Sequence, residues 1–287
     1  MRPQAAVLGS PIAHSLSPAL HGAAYAVLGL DWQYQAIECT AGEFPDFLAG
    51  LGPQWQGLSL TMPVKEVALE VIEQVSDSAR AVSAVNTIYR GGDGRTWQAA
   101  NTDIDGIERA LRHAGVSSVG VAHILGAGAT ARSCVAALAR LGAERLVVHA
   151  RRAQAAESVA ELAHRLGIRA STADLSPADL DCDVLMNTLP ADVAAPWSEV
   201  GARSDTALLD ASYHPWPTAL AESWTRLRPQ AALASGRDML LWQAVAQVGL
   251  MTGAYPLEAL DFPDDATGRV AQRVYAAMRA VIEDKSA

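Results

Sequence analysis

"VAHILGAGATARSCVAALARLGAERLVVHARR", residues 121–152, reads as an apolar run, a glycine turn at Gly126-Ala127-Gly128, an alanine-rich helical stretch and a second apolar run. Strand, turn, helix and strand in that order make a dinucleotide-binding unit. The glycines allow a tight turn and close backbone approach to a pyrophosphate, and the helix N-terminus, opening at Ala129, favours its charge. Ala131 replaces the third glycine of G-x-G-x-x-G, which the pattern allows. The second strand ends in Arg151 and Arg152, with no acid before Glu157. An NAD site presents a carboxylate to the ribose roughly 20 residues after the loop. Guanidinium groups suit a 2′-phosphate instead, so the sequence predicts NADP over NAD. The competing reading, solvated arginines at a helix start, is disfavoured by the helix dipole.

Outward from this stretch the same rhythm continues through "DVLMNT" (183–188) and "ALLDASY" (207–213). Upstream, strands near "AAVLG" (5–9), "WQYQAIEC" (32–39) and "WQGLSLTM" (55–62) alternate with helical "SPALHGAAYAVLGL" (17–30), "AGEFPDFLAGL" (41–51) and "VKEVALEVIEQV" (64–75). Then "AVNTIYR" (84–90) and "TWQAAN" (96–101) flank "GGDG", which suits a β-hairpin better than a helical crossover. After "AALAS" (231–235) the strands cease, and residues 237–253 and 265–287 read as two long helices that complete either the second unit or the first. The expectation is an α/β protein: an open N-terminal α/β unit ending in antiparallel strands, then a Rossmann-type unit beginning near residue 104.

Length and composition agree. At 287 residues the chain exceeds the size at which one hydrophobic core stops growing, and half of its residues are apolar. The net charge is -9, and no basic run is longer than Arg151-Arg152, so nucleic acid is not an expected partner. Cys39, Cys134 and Cys182 are far apart and show no metal-ligand spacing, which reads as buried, reduced thiols and no metal. The N-terminal apolar run is too short for a signal peptide, and no segment approaches about eighteen apolar residues. A soluble, cytoplasmic protein with no membrane partner is expected.

Candidate ligand residues cluster after strand ends, where open α/β sheets place their ligands. In "GSPIAHSLSPALH" (9–21), Ser17 before Pro18 suits an N-cap, and Ser15 projects to the same side. Two hydroxyls beside free helix N–H groups suit a carboxylate, with His14 near by, although capping alone accounts for Ser17. In "GLSLTMPVKEVALE" (57–70), Pro63 opens a helix and Lys65 falls in its first turn. It is either a solvated side chain offset by Glu66 or a proton-transfer group whose neutral form that field favours. Thr61 is cap or ligand. Asn86 interrupts a strand, which calls for a specific partner to its amide. Asp103, in "NTDIDG" (101–106), opens another helix.

These motifs together resemble shikimate dehydrogenase over residues 5–245. "GSPIAHSLSPALH" matches the family's substrate signature and "SLTMPVK" (59–65) its catalytic motif. "AVNT" (84–87), "NTD" (101–103), "GAGATAR" (126–132), "DASYHPWPTAL" (210–220) and "SGRDMLLWQA" (235–244) match further blocks in order. The resemblance implies a substrate-binding and catalytic domain at 1–103, completed by 237–287, and an NADP-binding Rossmann-type domain at 104–236. It implies Lys65 and Asp103 as the catalytic pair, facing one another across a cleft. Ser15 and Ser17 would bind the shikimate carboxylate, with Thr61, Asn86, Tyr213 and Gln243 as further substrate ligands. The cofactor would meet Gly126, Ala127, Gly128, Ala129, Arg151, Arg152, Asn187, Thr188, Leu189, Gly236 and Met239. The implied reaction is reversible reduction of 3-dehydroshikimate to shikimate by NADPH, as monomer or homodimer. The alternatives are an NAD-preferring quinate/shikimate dehydrogenase and a silent metabolite-binding regulator; intact Lys65 and Asp103 argue against the latter. Three departures stand out: Ser59 where many members have Asn, "MNTLPADVAA" (186–195) in place of the usual A-T-S-x-G-M, and Ala150 and Arg152 flanking Arg151 in the N-R-T block.

Overall fold

A computed structural model describes residues 2–284. Met1 and the end of the last expected helix, residues 285–287, lie outside them. The chain forms two units, Met1–Thr102 with Leu241–Ala287, and Asp103–Leu240. This places Asp103 and residues 237–240 with the second unit.

The first unit runs β1 (Gln4–Gly9), α1 (Ser17–Leu28), β2 (Gln33–Glu38), α2 (Phe44–Ala49), β3 (Trp55–Leu60), α3 (Ala68–Val71), β4 (Gln74–Val75), α4 (Asp77–Ala81), β5 (Thr87–Arg90) and β6 (Trp97–Ala100). Its sheet has the order β2-β1-β3-β5-β6-β4. β1 is parallel to β2 and β3, while β5 and β6 form the antiparallel hairpin around "GGDG". Strand direction therefore brings four chain segments to one sheet edge: those after β1, after β3, before β5 and after β6. Leu8, Phe44, Leu58, Leu60 and Ile88 are buried together on one side.

The second unit runs α5 (Asp103–His113), β7 (Val121–Leu125), α6 (Ala129–Arg140), β8 (Arg145–Ala150), α7 (Ala153–Arg165), β9 (Arg169–Asp174), β10 (Val184–Asn187), α8 (Ala191–Ala194), β11 (Ala207–Asp210), α9 (Ala219–Leu227) and β12 (Leu233–Ser235). All six strands are parallel, in the order β12-β11-β10-β7-β8-β9. That is a doubly wound sheet whose order reverses between β7 and β10, and ligands of such sheets bind at that point. α5 packs on α6 and β12, which is why Asp103 belongs here. The Ser235 hydroxyl and N–H bond Asp238, which starts α10 (Gly236–Thr252) with a reciprocal cap. α11 (Ala266–Asp284) packs on α1, and Trp242 of α10 stacks on Phe262 and Tyr275. The three cysteines are free and buried, and burial pushes the Cys182 thiol up to about 12. No helix among the described residues is long and apolar enough to cross a membrane.

Several local expectations are corrected. "VKEVALEVIEQV" is turns at 62–67, a four-residue α3 and then β4. Lys65 therefore lies before the helix rather than in its first turn, and the dipole argument has nothing to act on. Ser17 is not a cap: the N-cap of α1 is Leu16, and the Ser17 N–H donates to Ser15 Oγ at 3.3 Å. The approach to α1 is a turn, closed by Ser15 N–H on the Ile12 carbonyl, rather than an extended segment.

Candidate active site

At the edge of the first sheet the backbone knits the expected residues together. Thr61 N–H bonds the Leu8 carbonyl, Ser10 N–H bonds that of Met62, and Leu60 N–H bonds that of Asn86 at 2.8 Å. Val85 N–H donates to the Lys65 carbonyl at 2.8 Å. The loops carrying Ser15 and Ser17, Thr61 and Lys65, and Asn86 thus meet because β1 and β3 run parallel and β5 runs against them. Lys65 is half-buried, whereas Ser17 and Asn86 are buried.

Asn86 lies just before β5 rather than within a strand, and its amide does have specific partners. Its Oδ1 accepts the Thr102 N–H at 2.7 Å and the Thr87 hydroxyl at 2.8 Å. Its Nδ2 donates to Thr102 Oγ1 at 3.0 Å and to Gln243 Oε1 at 3.4 Å. Beneath it Ser59 joins a polar layer whose other members, Tyr34, His21 and Gln247, sequence reading missed. The Tyr34 phenol donates to Ser59 Oγ at 2.6 Å, and Ser59 donates to Gln247 Oε1 at 2.8 Å. Ser59, the departure from the family pattern, is therefore committed inward. His21 stacks on Tyr34 at 4.0 Å between ring centroids, and burial lowers its pKa to about 3. The available signal was Gln243 and Gln247, one turn apart in an otherwise apolar helix and so on one face.

In the second unit, the ends of β7, β8, β10, β11 and β12 share one edge because the strands are parallel. Asp103 opens α5, is 5% exposed, and its carboxylate, after burial, helps push the Cys134 thiol up. Gly126 has φ +105°, and a Cβ there would stand 2.5 Å from Thr188 Oγ1, so neither conformation nor space admits another residue. Gly128 caps α6, and nothing lies within 4 Å of where its Cβ would be. Ala127 completes that turn and Ala129 begins the helix.

Arg151 and Arg152 follow β8 directly and are exposed, with Arg152 as N-cap of α7. An open glycine cradle, a helix N-terminus and two exposed guanidinium groups fit a dinucleotide carrying an extra phosphate. Thr188 bonds the Leu125 carbonyl through both N–H and hydroxyl, which fixes it beside the glycine turn. Asn187 closes a small turn by accepting the Leu189 N–H at 3.0 Å, and it donates to Asp210 at 2.9 Å. Asp210, also missed in the sequence, is fully buried and accepts the Thr218 hydroxyl at 2.6 Å. Tyr213 follows β11 half-buried, which raises its phenol pKa. Gly236 opens α10 where a Cβ would strike the Ala211 backbone, and Met239 is buried one turn on.

Known proteins resemble this chain along most of its length. The family model described as the shikimate dehydrogenase substrate binding domain matches residues 7–88. A protein of Methylobacterium radiotolerans named shikimate dehydrogenase (NADP(+)) is 38% identical over 255 residues, which covers 85% of this chain and 89% of the relative. The crystal structure of a shikimate 5-dehydrogenase from Mycobacterium fortuitum is 40% identical, covers 98% of both chains and superposes with a TM-score of 0.82. A Thermus thermophilus shikimate 5-dehydrogenase solved with NADP(H) and shikimate is 30% identical with a TM-score of 0.76, covering 97% of this chain and 99% of that one. Identity of this extent spans both units, and the chain belongs to the shikimate dehydrogenase family.

Proposed function

We propose that this chain catalyses the reversible, NADP-dependent interconversion of 3-dehydroshikimate and shikimate, a step toward chorismate and the aromatic amino acids, in the cytoplasm. The observation that carries the reading is the gathering of Ser15, Ser17, Thr61, Lys65, Asn86 and Gln243 at one sheet edge, in a chain whose relatives bear that activity in their names. The first unit binds the substrate and the second binds NADP.

Ser15 and Ser17 take the substrate carboxylate, and Thr61, Asn86, Gln243 and Tyr213 take its hydroxyl groups. Lys65 Nζ gives a proton to the C3 oxygen as the carbonyl is reduced and recovers it in the reverse direction. Asp103, first residue of the second unit, orients the substrate hydroxyls through its carboxylate. Gly126 to Ala129 and the α6 N-terminus cradle the pyrophosphate, while Arg151 and Arg152 pair with the 2′-phosphate. Asn187, Thr188, Leu189, Gly236 and Met239 line the nicotinamide side. Bound there, NADPH supplies the hydride.

Replacing Lys65 by Ala is expected to lower turnover by about 10² to 10⁴ and to leave shikimate affinity within a few-fold, the range for a lost proton-transfer group. A variant that keeps most of its turnover removes Lys65 from the mechanism. Initial rates with NADPH and NADH, on dehydroshikimate and on the quinate analogue, separate this reading from an NAD-preferring quinate/shikimate dehydrogenase.

A further inference from the structure

Gln247 of α10 is 1% exposed and has no role in the mechanism above. Its Nε2 donates to the peptide oxygen of Asn86 at 3.2 Å and to Thr87 Oγ1 at 3.2 Å. A peptide oxygen can only accept, so this one contact decides which end of the Gln247 amide is nitrogen. Oε1 therefore faces Ser59 and His21.

The remaining directions follow by elimination. Ser59 must donate to Oε1, which leaves its oxygen to accept the Tyr34 phenol proton. His21 must carry its proton on Nε2, 3.3 Å from Oε1, and burial keeps the ring neutral, with Nδ1 toward the Tyr25 hydroxyl. On the other side, Thr87 accepts from Gln247 and so turns its own proton to Asn86 Oδ1. That oxygen also holds the Thr102 N–H, which leaves Nδ2 as the end of Asn86 that reaches Gln243.

We propose that Gln247 is a positioning residue for shikimate binding: it sets the direction of the hydrogen bonds from Tyr34 to Thr87 and, through Thr87 and together with the Thr102 N–H, holds the Asn86 amide with its nitrogen toward Gln243, the neighbouring substrate ligand. The proposal rests on the reading of Asn86 as a substrate ligand. A buried amide that meets one peptide oxygen, two hydroxyl groups and a histidine transmits orientation because each hydroxyl and the neutral imidazole has a single proton to place.

The test is a double-mutant cycle of Gln247→Met and Asn86→Ala, read as KM and kcat for shikimate and Kd for NADP, with a thermal melt to show folding. Gln247→Met is expected to raise the shikimate KM about five- to tenfold, the worth of one or two neutral hydrogen bonds. Its kcat at saturation should stay within about threefold and its NADP Kd should not change. In the Asn86→Ala background the same substitution is expected to add less than about twofold, because its target is gone. Full multiplication of the two effects overturns the proposal, as does a Gln247→Met KM equal to that of the parent. If instead Asn86→Ala itself leaves KM unchanged, the substrate-site reading fails. Should Gln247→Met not fold, Thr87→Val replaces it in the cycle: it removes the hydroxyl that links the two amides and keeps the Gln247 bond to the Asn86 peptide oxygen. The same outcomes then apply.

Discussion

At the edge of the first sheet, Asn86, Thr87, Thr102 and Gln247 are each 1% exposed or less and are bonded to one another. At the matching edge of the second sheet, Arg151 and Arg152 stand in solvent, and the turn beside them consists of Gly126, Ala127 and Gly128. One edge is built of amides and hydroxyls oriented before any ligand arrives; the other is built of backbone and long cationic side chains. The hydroxyl groups of a ring have to be read by direction, because each of them both donates and accepts. A phosphate accepts from every side, so N–H groups and guanidinium groups suffice. The first edge should therefore respond to substitution cooperatively, and the second residue by residue.

The buried histidine gives the largest test of this contrast. His21 has its folded pKa lowered to about 3 by burial, from an ordinary value of 6.5. Between those values the unfolded chain holds a proton that the folded chain does not, so this contribution is complete above pH 6.5 and declines as pH falls toward 3. The loss should reach about 2 kcal/mol at pH 5 and about 4 kcal/mol near pH 3. In the second unit, His123 and His149 touch at 3.0 Å and are also lowered by burial, His123 to about 4. Urea unfolding of the parent and of His21→Gln between pH 7 and 4 isolates the His21 share, since the histidine pair is common to both. Equal pH slopes would contradict the enclosed first-unit layer.

Next in size is Gly126→Ala. A φ of +105° and a Cβ 2.5 Å from Thr188 Oγ1 should cost about 1 to 3 kcal/mol of stability and weaken NADP. Shikimate binding in the absence of cofactor, measured by calorimetry, should stay as in the parent. A loss there would show that the two edges are not separable. Smaller again is Arg151→Ala, expected to weaken NADP by about tenfold with NAD nearly unchanged and the melting temperature unmoved. Equal losses for both cofactors would point to damage rather than to a lost phosphate contact. The smallest effect belongs to Ser15→Ala. Its Oγ takes the first N–H of α1, so a stability loss of about 0.5 to 1 kcal/mol should accompany a few-fold rise in the shikimate KM.

Much of this architecture was legible because its signals are local. The glycine turn of 126–128, the hairpin around "GGDG" and the periodic helices near the C-terminus need only neighbours a few residues away. Where tertiary context competes with a local pattern, the reading went astray. The helical spacing of "VKEVALEVIEQV" continues past residue 71, yet Gln74 and Val75 pair with β6 instead. β9 escaped notice because it lies at the sheet edge with its residues largely exposed, so "RASTAD" carries no apolar run. Ser17 has the composition of a cap, and the turn before it hands that task to Ser15.

The order of residue types along the chain was enough to point to two α/β units and to single out candidate groups for each ligand, since periodicity, glycine turns and strand ends are properties of short segments. Folding alone determined which way those groups point. Gln247 reaches the Asn86 peptide oxygen from 161 residues away, and no local pattern encodes which end of its amide arrives there. That orientation follows from where the remaining donors and acceptors of a buried layer must go, a condition that exists only once the layer has closed.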